Sequence, residues 1–322
     1  MKKKFDMSLA NSFGRIGVLM GGDSSERSIS LRSGEAVITA LKQKGYTIAV
    51  LDVQGSKREV QKKIADANID IAFITLHGRG GEDGSIQSLL QELGIPYIGS
   101  CPEGSKIAFN KLEAKKIFDK NGIPNPRYVV VTQDDWKDKI RHLVFPVFIK
   151  PIDEGSSIGV QKIKNLDQMS EIVPHELEEY SLLLIEEAII GRELTVGILG
   201  DKALPVIELC PKREFYDYTA KYTKGMTEYL IPAPIRTEVA TAVQKIAFEA
   251  HRELGLRDFS RVDFMLDQAE NPFVLEVNTI PGFTETSLLP KAAQAAGITF
   301  GDLCVSLLQY AKERSSSNGK KN

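Results

Sequence analysis

Two segments, Arg261-Val-Asp-Phe-Met-Leu-Asp267 and Phe273-Val-Leu-Glu-Val-Asn278, alternate polar and apolar side chains. A period of two is typical of β-strands, and the turn-forming residues between them predict an antiparallel hairpin. The apolar face is predicted to carry Val262, Phe264, Leu266, Phe273, Leu275 and Val277. The opposite face is predicted to carry Arg261, Asp263, Met265, Glu276 and Asn278. Two carboxylates and an amide oxygen suit Mg²⁺ bound together with phosphates. A solvated polar face is the alternative for the hairpin taken alone.

The bulk composition excludes several classes of protein. The chain has 322 residues, 42% of them hydrophobic and 26% charged, which predicts a soluble protein of two or three domains. A net charge of −2 gives no reason to expect binding to nucleic acid or to an anionic membrane. Three scattered cysteines argue against disulfides or zinc and favour a reducing compartment. No signal peptide and no membrane span are expected.

The first hundred residues alternate strands with helices. Strands are predicted at Ile16–Met20, Thr47–Val53 and Ile69–Leu76, which indicates a parallel sheet with ligands at its carboxyl edge. Polar loops follow two of these strands, at residues 21–30 and 76–84. The first lacks the G-x-G-x-x-G spacing of a dinucleotide site, which disfavours a dinucleotide-binding fold.

Each of these loops contains one candidate functional side chain. Glu26 is suited to an ammonium group, or it is the third residue of a capping box begun by Asp23 or Ser24; the sequence leaves both open. His77 is followed by closely spaced glycines, which indicates a backbone that closely approaches another group.

The middle of the chain contains a candidate phosphate site. Lys150 lies at the end of the predicted strand Phe145–Pro151 and can meet phosphates as a positive charge. The Gly/Ser loop 153–159 follows, and its N–H groups and hydroxyls can donate hydrogen bonds to phosphates. A flexible polar turn is the alternative for the loop alone. A lysine on an apolar strand usually has a partner, which favours the phosphate site.

Leu182–Ile190 and Gly191–Leu199 are predicted to be neighbouring strands. Their glutamates need hydrogen-bond donors, such as an adenine amino group or ribose hydroxyls. Residues 215–222 are either a lid or a packed surface loop, and their composition favours the loop. A helix follows at Thr237–Leu254, and after the hairpin the segment 279–290 offers Gly282, Thr284, Thr286 and Ser287 to a carboxylate or an oxyanion.

Taken together, five segments resemble the D-alanine–D-alanine ligase family of the ATP-grasp superfamily. They are residues 21–27, 76–84, 154–157, 216–222 and 278–288. The resemblance implies an α/β protein of ATP-grasp architecture, with an N-terminal parallel α/β domain followed by two α+β domains that clamp ATP. The implied boundaries are 1–102, 103–190 and 191–322.

The resemblance also implies an activity: ligation of two D-alanines for peptidoglycan synthesis. One carboxylate attacks the γ-phosphate of ATP, and the amine of the second D-alanine displaces phosphate from the resulting acyl phosphate. The implied cofactors are ATP and two Mg²⁺ ions, with Mn²⁺ as a substitute. A cytoplasmic homodimer that contacts through the N-terminal region is implied as well, with no nucleic-acid or membrane partner.

The family's nucleotide and metal residues match positions of this sequence. Lys111, Lys150 and Ser157 would contact ATP phosphates, and Lys221 the γ-phosphate. Glu186, with main chain at Glu187 and Ile189, would bind adenine, and Glu193 would bind ribose. Met265, on the polar face of the hairpin, is either an apolar wall for the nucleotide or a core residue, and the sequence leaves both open. Asp263, Glu276 and Asn278 would hold the metal ions.

The substrate residues are carried over in the same way. Glu26 would bind the first ammonium, with His77 beside that substrate, and Ser156 and Tyr222 would join Glu26 to close a lid. Arg261 and the Gly282 N–H would stabilise the tetrahedral oxyanion, while Ser287 and Leu288 would take the second carboxylate.

Two positions depart from many members of the family. Glu187 replaces a common lysine next to the adenine, so only its main chain is expected to contribute, and Thr286 replaces a histidine of some relatives at the second-substrate site. Tyr222 resembles the dipeptide-forming members. The alternatives are a ligase that joins D-alanine to D-lactate or D-serine, and an inactive nucleotide-binding module.

Overall fold

A computed structural model of the chain describes residues 12–155, 158–213, 223, 225–284 and 286–318. Among these residues, every helix is too short or too polar to cross a membrane.

A three-stranded parallel sheet forms the N-terminal part, as the alternation predicts. Its strands, β1 (Arg15–Met20), β2 (Thr47–Asp52) and β3 (Ile71–Ile74), lie in the order β2-β1-β3. Tyr97 adds one parallel bridge to Ala72 of β3. The loops 21–30 and 76–84 leave the carboxyl ends of adjacent strands, β1 and β3, and therefore meet at one edge.

The middle of the chain forms a four-stranded antiparallel sheet in the order β4-β7-β5-β6. Its strands are β4 (Tyr128–Val131), β5 (Val147–Pro151), β6 (Gln161–Ile163) and β7 (Leu183–Glu187).

The C-terminal part contains a six-stranded sheet in the order β11-β10-β8-β12-β13, with β9 beside β8. Its strands are β8 (Gly191–Leu199), β9 (Lys202–Ala203), β10 (Ile207–Pro211), β11 (Thr227–Leu230), β12 (Phe259–Asp267) and β13 (Pro272–Asn278). The prediction that β7 and β8 are neighbours is therefore wrong. Ala188 still bonds to Pro146 of the middle region, whereas Gly191 already pairs with Asp267.

The helices connect and cover these sheets. They are α1 (Arg27–Gln43), α2 (Lys57–Asp66), α3 (Ser85–Glu92), α4 (Pro102–Phe109), α5 (Lys111–Lys120), α6 (Trp136–Lys139), α7 (Leu166–Glu179), α8 (Thr237–Glu253), α9 (Leu288–Ala295) and α10 (Phe300–Asn318). No helix was predicted at α4, α6, α7 or α9, and α7 contains Pro174, a residue that rarely occurs inside helices.

The predicted hairpin is confirmed, but its register contains a bulge. Asp263 lies opposite Glu276, whereas the next residue of β12, Phe264, lies opposite Val274. Leu275 is thus the extra residue, and the face of β13 changes there. Val274 is fully buried while Leu275 is half-buried, so the predicted apolar face is wrong at residues 273–275.

Three hydrophobic cores hold these layers together. One lies between the middle sheet and α7, and a second lies between the six-stranded sheet and α8. The third joins the N-terminal sheet to α9 and α10, whose buried side chains Leu303, Leu307 and Leu308 belong to it. The two ends of the chain therefore share one core.

Candidate active site

The polar face of the hairpin borders two cavities. The larger, of about 500 Å³, lies between the middle sheet and the six-stranded sheet, and Asp263 and Glu276 face it. The smaller, of about 350 Å³, lies against the N-terminal loops, and Arg261 and Asn278 face it. Arg261 pairs with Asn278, and Asp263 with Glu276, so two rungs of one hairpin, separated by the Val262–Val277 pair, serve the two cavities.

The larger cavity brings together most of the residues predicted for ATP and metal. These are Lys111, Lys150, Glu186, Glu187, Ile189, Glu193, Met265, Asp263 and Glu276. Lys150 comes from β5, the glutamates from β7 and β8, and Met265 from β12, so both antiparallel sheets contribute. Ser157 and Lys221 lie outside the described residues.

Two lysines are held at this cavity by different means. Lys111 begins α5 immediately after its N-cap Asn110, and its Nζ donates to the Glu154 carbonyl at the start of the Gly/Ser loop. Lys150 donates to one carboxylate oxygen of Glu186. The first contact places an ammonium group beside the loop predicted to bind phosphates, and the second holds the Lys150 ammonium at a glutamate of β7.

Glu186 is buried among cations. Its second carboxylate oxygen, Oε1, lies 2.9 Å from Lys115 Nζ. Burial acts to raise the pKa of Glu186, but Lys115 and Lys150 outweigh it and lower the pKa to about 2. The carboxylate is therefore ionised, and both of its oxygens face ammonium groups, an arrangement different from the adenine contact that the resemblance implies.

The smaller cavity collects the predicted substrate residues from both ends of the chain. Those lining it are Glu26, His77, Arg261, Gly282, Ser287 and Leu288. Thr284 and Thr286, singled out in the sequence, line it too. Ser156 lies outside the described residues, as does the whole segment 215–222, which includes Tyr222.

Glu26 does not belong to a capping box. It is itself the N-cap of α1 and makes no side-chain cap, while Asp23 accepts from Gly55 N–H and Ser24 donates to the His77 carbonyl. Its buried carboxylate is packed closely enough that a Cβ on Gly78 would lie 2.7 Å from Oε2, and one on Gly155 2.9 Å. The carboxylate thus lies between the second N-terminal loop and the Gly/Ser loop.

His77 is buried and has a polar group on each side of its ring. Its Nε2 lies 3.4 Å from Ser33 Oγ, and its Nδ1 lies 3.4 Å from Glu82 Oε1. Ser33 also accepts a hydrogen bond from Phe283 N–H, so the histidine is connected to the segment after the hairpin.

Arg261 and Asp263 form a bidentate pair between the two cavities. The guanidinium donates from Nε at 2.9 Å and from Nη2 at 2.7 Å. Thr195 donates to Asp263 at 2.6 Å and Asn278 at 3.0 Å. This network fixes the orientation of the Asp263 carboxylate.

The oxygen ligands on the hairpin fit a hard cation that completes its coordination shell with oxygens of phosphate and water. Within the described ranges, groups of three or more acidic, histidine or cysteine side chains suited to a metal are absent. What the hairpin offers instead is two directly opposed carboxylates, Asp263 and Glu276, with the Asn278 amide two residues further along β13. Mg²⁺ commonly takes one or two carboxylates together with phosphate oxygens and water, so the set fits Mg²⁺ bound with a nucleotide.

The segment after the hairpin is folded tightly on itself. Ser287 Oγ accepts from Thr284 N–H at 3.1 Å and lies 2.8 Å from Thr284 Oγ1. A Cβ on Gly282 would lie 2.7 Å from that same Oγ, so a larger residue would displace it. The main chain is thereby held at the wall of the smaller cavity, beside the start of α9.

Several residues that line the two cavities were not predicted from the sequence. The larger cavity also contains Phe148, Lys162, Cys210 and Leu275, and the smaller contains Arg32, Glu82 and Tyr229. Glu82 lies inside a loop already singled out, so its proximity to His77 was a usable signal. Leu275 reaches its cavity only through the bulge, which alternation does not reveal.

Known proteins match this chain over most of its length. Residues 117–309 match the family "D-ala D-ala ligase C-terminus" and residues 50–100 match "D-ala D-ala ligase N-terminus". The D-alanine–D-alanine ligase of Methylacidiphilum infernorum is 43% identical over 306 residues, which cover 94% of this chain and 97% of that protein.

Solved structures agree with the sequence matches. The crystal structure of D-alanine–D-alanine ligase from Bacillus anthracis has a TM-score of 0.84 at 35% identity, covering 94% of this chain and 99% of that one. The same protein complexed with ATP has a TM-score of 0.81 at 32% identity, with the same coverage. The predicted α/β fold class is thereby confirmed. With two family matches, near-complete coverage and a shared fold, the chain belongs to the D-alanine–D-alanine ligase family.

Proposed function

We propose that the protein joins two D-alanines in an ATP-dependent reaction, through a D-alanyl phosphate. The observation that carries the proposal is the hairpin whose polar face presents Arg261 and Asn278 to one cavity and Asp263 and Glu276 to the other. A nucleotide in the larger cavity and an amino acid in the smaller one then meet at Arg261 and Asp263. Family membership and the match to an ATP-complexed ligase support the same reaction.

In the larger cavity the protein neutralises and orients the triphosphate. Lys111 and Lys150 contact its phosphates, and the base and ribose lie against residues 186–193, with Met265 as an apolar wall. Asp263, Glu276 and Asn278 would hold Mg²⁺, or Mn²⁺ in its place. When bound, the metal would supply positive charge to the triphosphate, which phosphoryl transfer needs more than covalent catalysis.

In the smaller cavity the protein orients both amino acids. Glu26 accepts hydrogen bonds from the ammonium of the first D-alanine, and His77 fixes the position of that substrate. The first carboxylate then attacks the γ-phosphorus and ADP leaves. The second D-alanine binds with its carboxylate at Ser287 and Leu288.

The second step places negative charge on one oxygen. The amine of the second D-alanine attacks the acyl carbon, and the carbonyl oxygen becomes an oxyanion beside Arg261 and the Gly282 N–H. Phosphate leaves as the carbonyl re-forms. Losing one such donor typically costs about 3 kcal/mol of transition-state stabilisation.

Further parts of the proposal concern residues outside the described ranges and the assembly. Ser156 and Tyr222 close a lid with Glu26, while Ser157 and Lys221 contact phosphates. We also propose a cytoplasmic homodimer with domains at 1–102, 103–190 and 191–322. ATP as substrate and three free cysteines support the location.

Product identification tests this function. After incubation with ATP, Mg²⁺ and D-alanine alone, we expect D-alanyl-D-alanine, ADP and phosphate in equal amounts by mass spectrometry and phosphate assay. Turnover only when D-lactate or D-serine is added would establish a mixed-substrate ligase instead. ATP binding without ADP release under all three conditions would establish an inactive module.

A further inference from the structure

The most deeply buried cation of the nucleotide region is one that the proposed mechanism does not use. Lys115 lies on α5 with only 1% of its side chain exposed. Its neighbour Lys116 shows the usual alternative, since 56% of its side chain is exposed and it pairs with Glu113 one turn away. A lysine is rarely buried to this degree without a specific partner.

The surroundings of Lys115 match a protonated ammonium. Its Nζ lies 2.9 Å from Glu186 Oε1, 3.1 Å from Asn125 Oδ1 and 3.5 Å from the Pro126 carbonyl. Lys115 donates hydrogen bonds to Asn125 and Pro126, and its contact with the ionised Glu186 carboxylate is an ion pair, which favours the charged ammonium over the neutral amine. Burial lowers the pKa of Lys115, and the Glu186 carboxylate opposes that change.

The same carboxylate also holds Lys150, which lines the larger cavity. Glu186 Oε2 accepts from Lys150, and Glu186 Oε1 faces Lys115. Two lysines share one carboxylate, so the three side chains carry a net charge of +1. Without Lys115, the remaining pair would be neutral at the position where phosphates are proposed to bind.

We propose that Lys115 is a positioning residue for the nucleotide's phosphates. By binding one oxygen of Glu186, it leaves Lys150 as a cation in excess, oriented at the cavity and available to a nucleoside di- or triphosphate. The proposal rests on the proposed function only in taking the larger cavity to be the nucleotide site. It adds that the net charge of Lys115, Lys150 and Glu186, in addition to direct contacts, sets the affinity for phosphate.

Equilibrium binding of ATP, ADP and adenosine to Lys115→Met tests this charge balance. We expect affinity for ATP and ADP to fall about tenfold, about 1.4 kcal/mol, because one nearby positive charge is removed. Uncharged adenosine should keep its affinity within about twofold. The exposed Lys116→Met is the matched control and should bind all three ligands as the wild-type protein does.

A second substitution separates charge balance from mere packing. In Lys115→Met/Glu186→Gln the net charge returns to +1, so ATP affinity should recover to within about threefold of wild type. Glu186→Gln alone raises the net charge to +2 and should strengthen ATP binding relative to adenosine. If Lys115→Met does not fold, this single variant decides the question.

Three results would overturn the proposal. They are equal losses for ATP and adenosine in Lys115→Met, a double variant that binds ATP no better than Lys115→Met, and weaker relative ATP binding in Glu186→Gln. None of these measurements requires turnover. A failure to form D-alanyl-D-alanine would therefore count against the proposed function, whereas these results would count against the role of Lys115.

Discussion

Glu276 lies directly opposite Asp263 and faces the larger cavity, so its carboxylate is the clearest single test of the proposed Mg²⁺ site. In Glu276→Gln we expect the Mg²⁺ concentration for half-maximal ADP release to rise at least about tenfold, because an amide replaces an anionic ligand. Glu270→Gln is the control, since Glu270 lies in the turn of the hairpin and its carboxylate pairs with Arg236. An unchanged Mg²⁺ dependence in Glu276→Gln would rule out this residue as a ligand.

His251 predicts a pH dependence of stability. It is buried on α8, with Nδ1 2.7 Å from Ser260 Oγ, and burial lowers its pKa from 6.5 to about 4. The unfolded chain therefore takes up a proton at a higher pH than the folded chain does. This contribution to stability is present above about pH 6.5 and is lost as the pH falls to about 4, to a total of about 3 kcal/mol.

Urea unfolding at several pH values measures the effect. His251→Gln keeps a hydrogen-bonding partner for Ser260 and should lose less stability than wild type between about pH 7 and about pH 4.5. The exposed His142→Gln should follow the wild-type curve. Identical curves for all three proteins would show that His251 is not the titrating group.

Residue by residue, the sequence was informative where a side chain was unusual for its element. Lys150 on an apolar strand and Glu26 in a polar loop were predicted as site residues, and each lines one of the two cavities. Lys115 and Lys116 were indistinguishable in sequence, because both are ordinary residues of an amphipathic helix. Only the position of Glu186 on a strand 71 residues further along separates them.

At the scale of single elements, the bulge in β13 can be tested by two adjacent substitutions. Val274 is fully buried, so Val274→Ala should destabilise the fold by about 2 kcal/mol. Leu275 is half-buried and lines the larger cavity, so Leu275→Ala should change stability less and raise the KM for ATP more. Urea unfolding and steady-state kinetics measure the two effects, and the reverse pattern would support uninterrupted alternation.

The sequence predicted most strands and their turns, because hydrophobic period and turn residues are local properties. It failed at Leu275 because a bulge depends on how two strands pair, and at α7 because Pro174 is atypical of a helix interior. The separation of β7 from β8 was missed for a similar reason. Both are apolar strands joined by a short link, and nothing local indicates that the chain moves to another sheet there.

At the scale of the whole molecule, α10 should unfold together with the N-terminal sheet. Leu307 is fully buried in the core shared with β1 and β3, so Leu307→Ala should cost about 2–5 kcal/mol. In Leu307→Ala, hydrogen exchange should show that amides of β1 and α10 lose protection together. Gln309 is exposed, so Gln309→Ala is the control and should leave the protection of both elements unchanged. Faster exchange confined to α10 would show that the two ends open independently.

The shared core also has a consequence for synthesis of the chain. Domains generally begin folding from the N-terminus as the ribosome extends the chain at about 5–20 residues per second. Here β1 to β3 are complete long before Leu303, Leu307 and Leu308 have been made. The apolar side chains of the nascent N-terminal sheet therefore stay incompletely covered for roughly 10–40 s, the interval in which a chaperone would bind them.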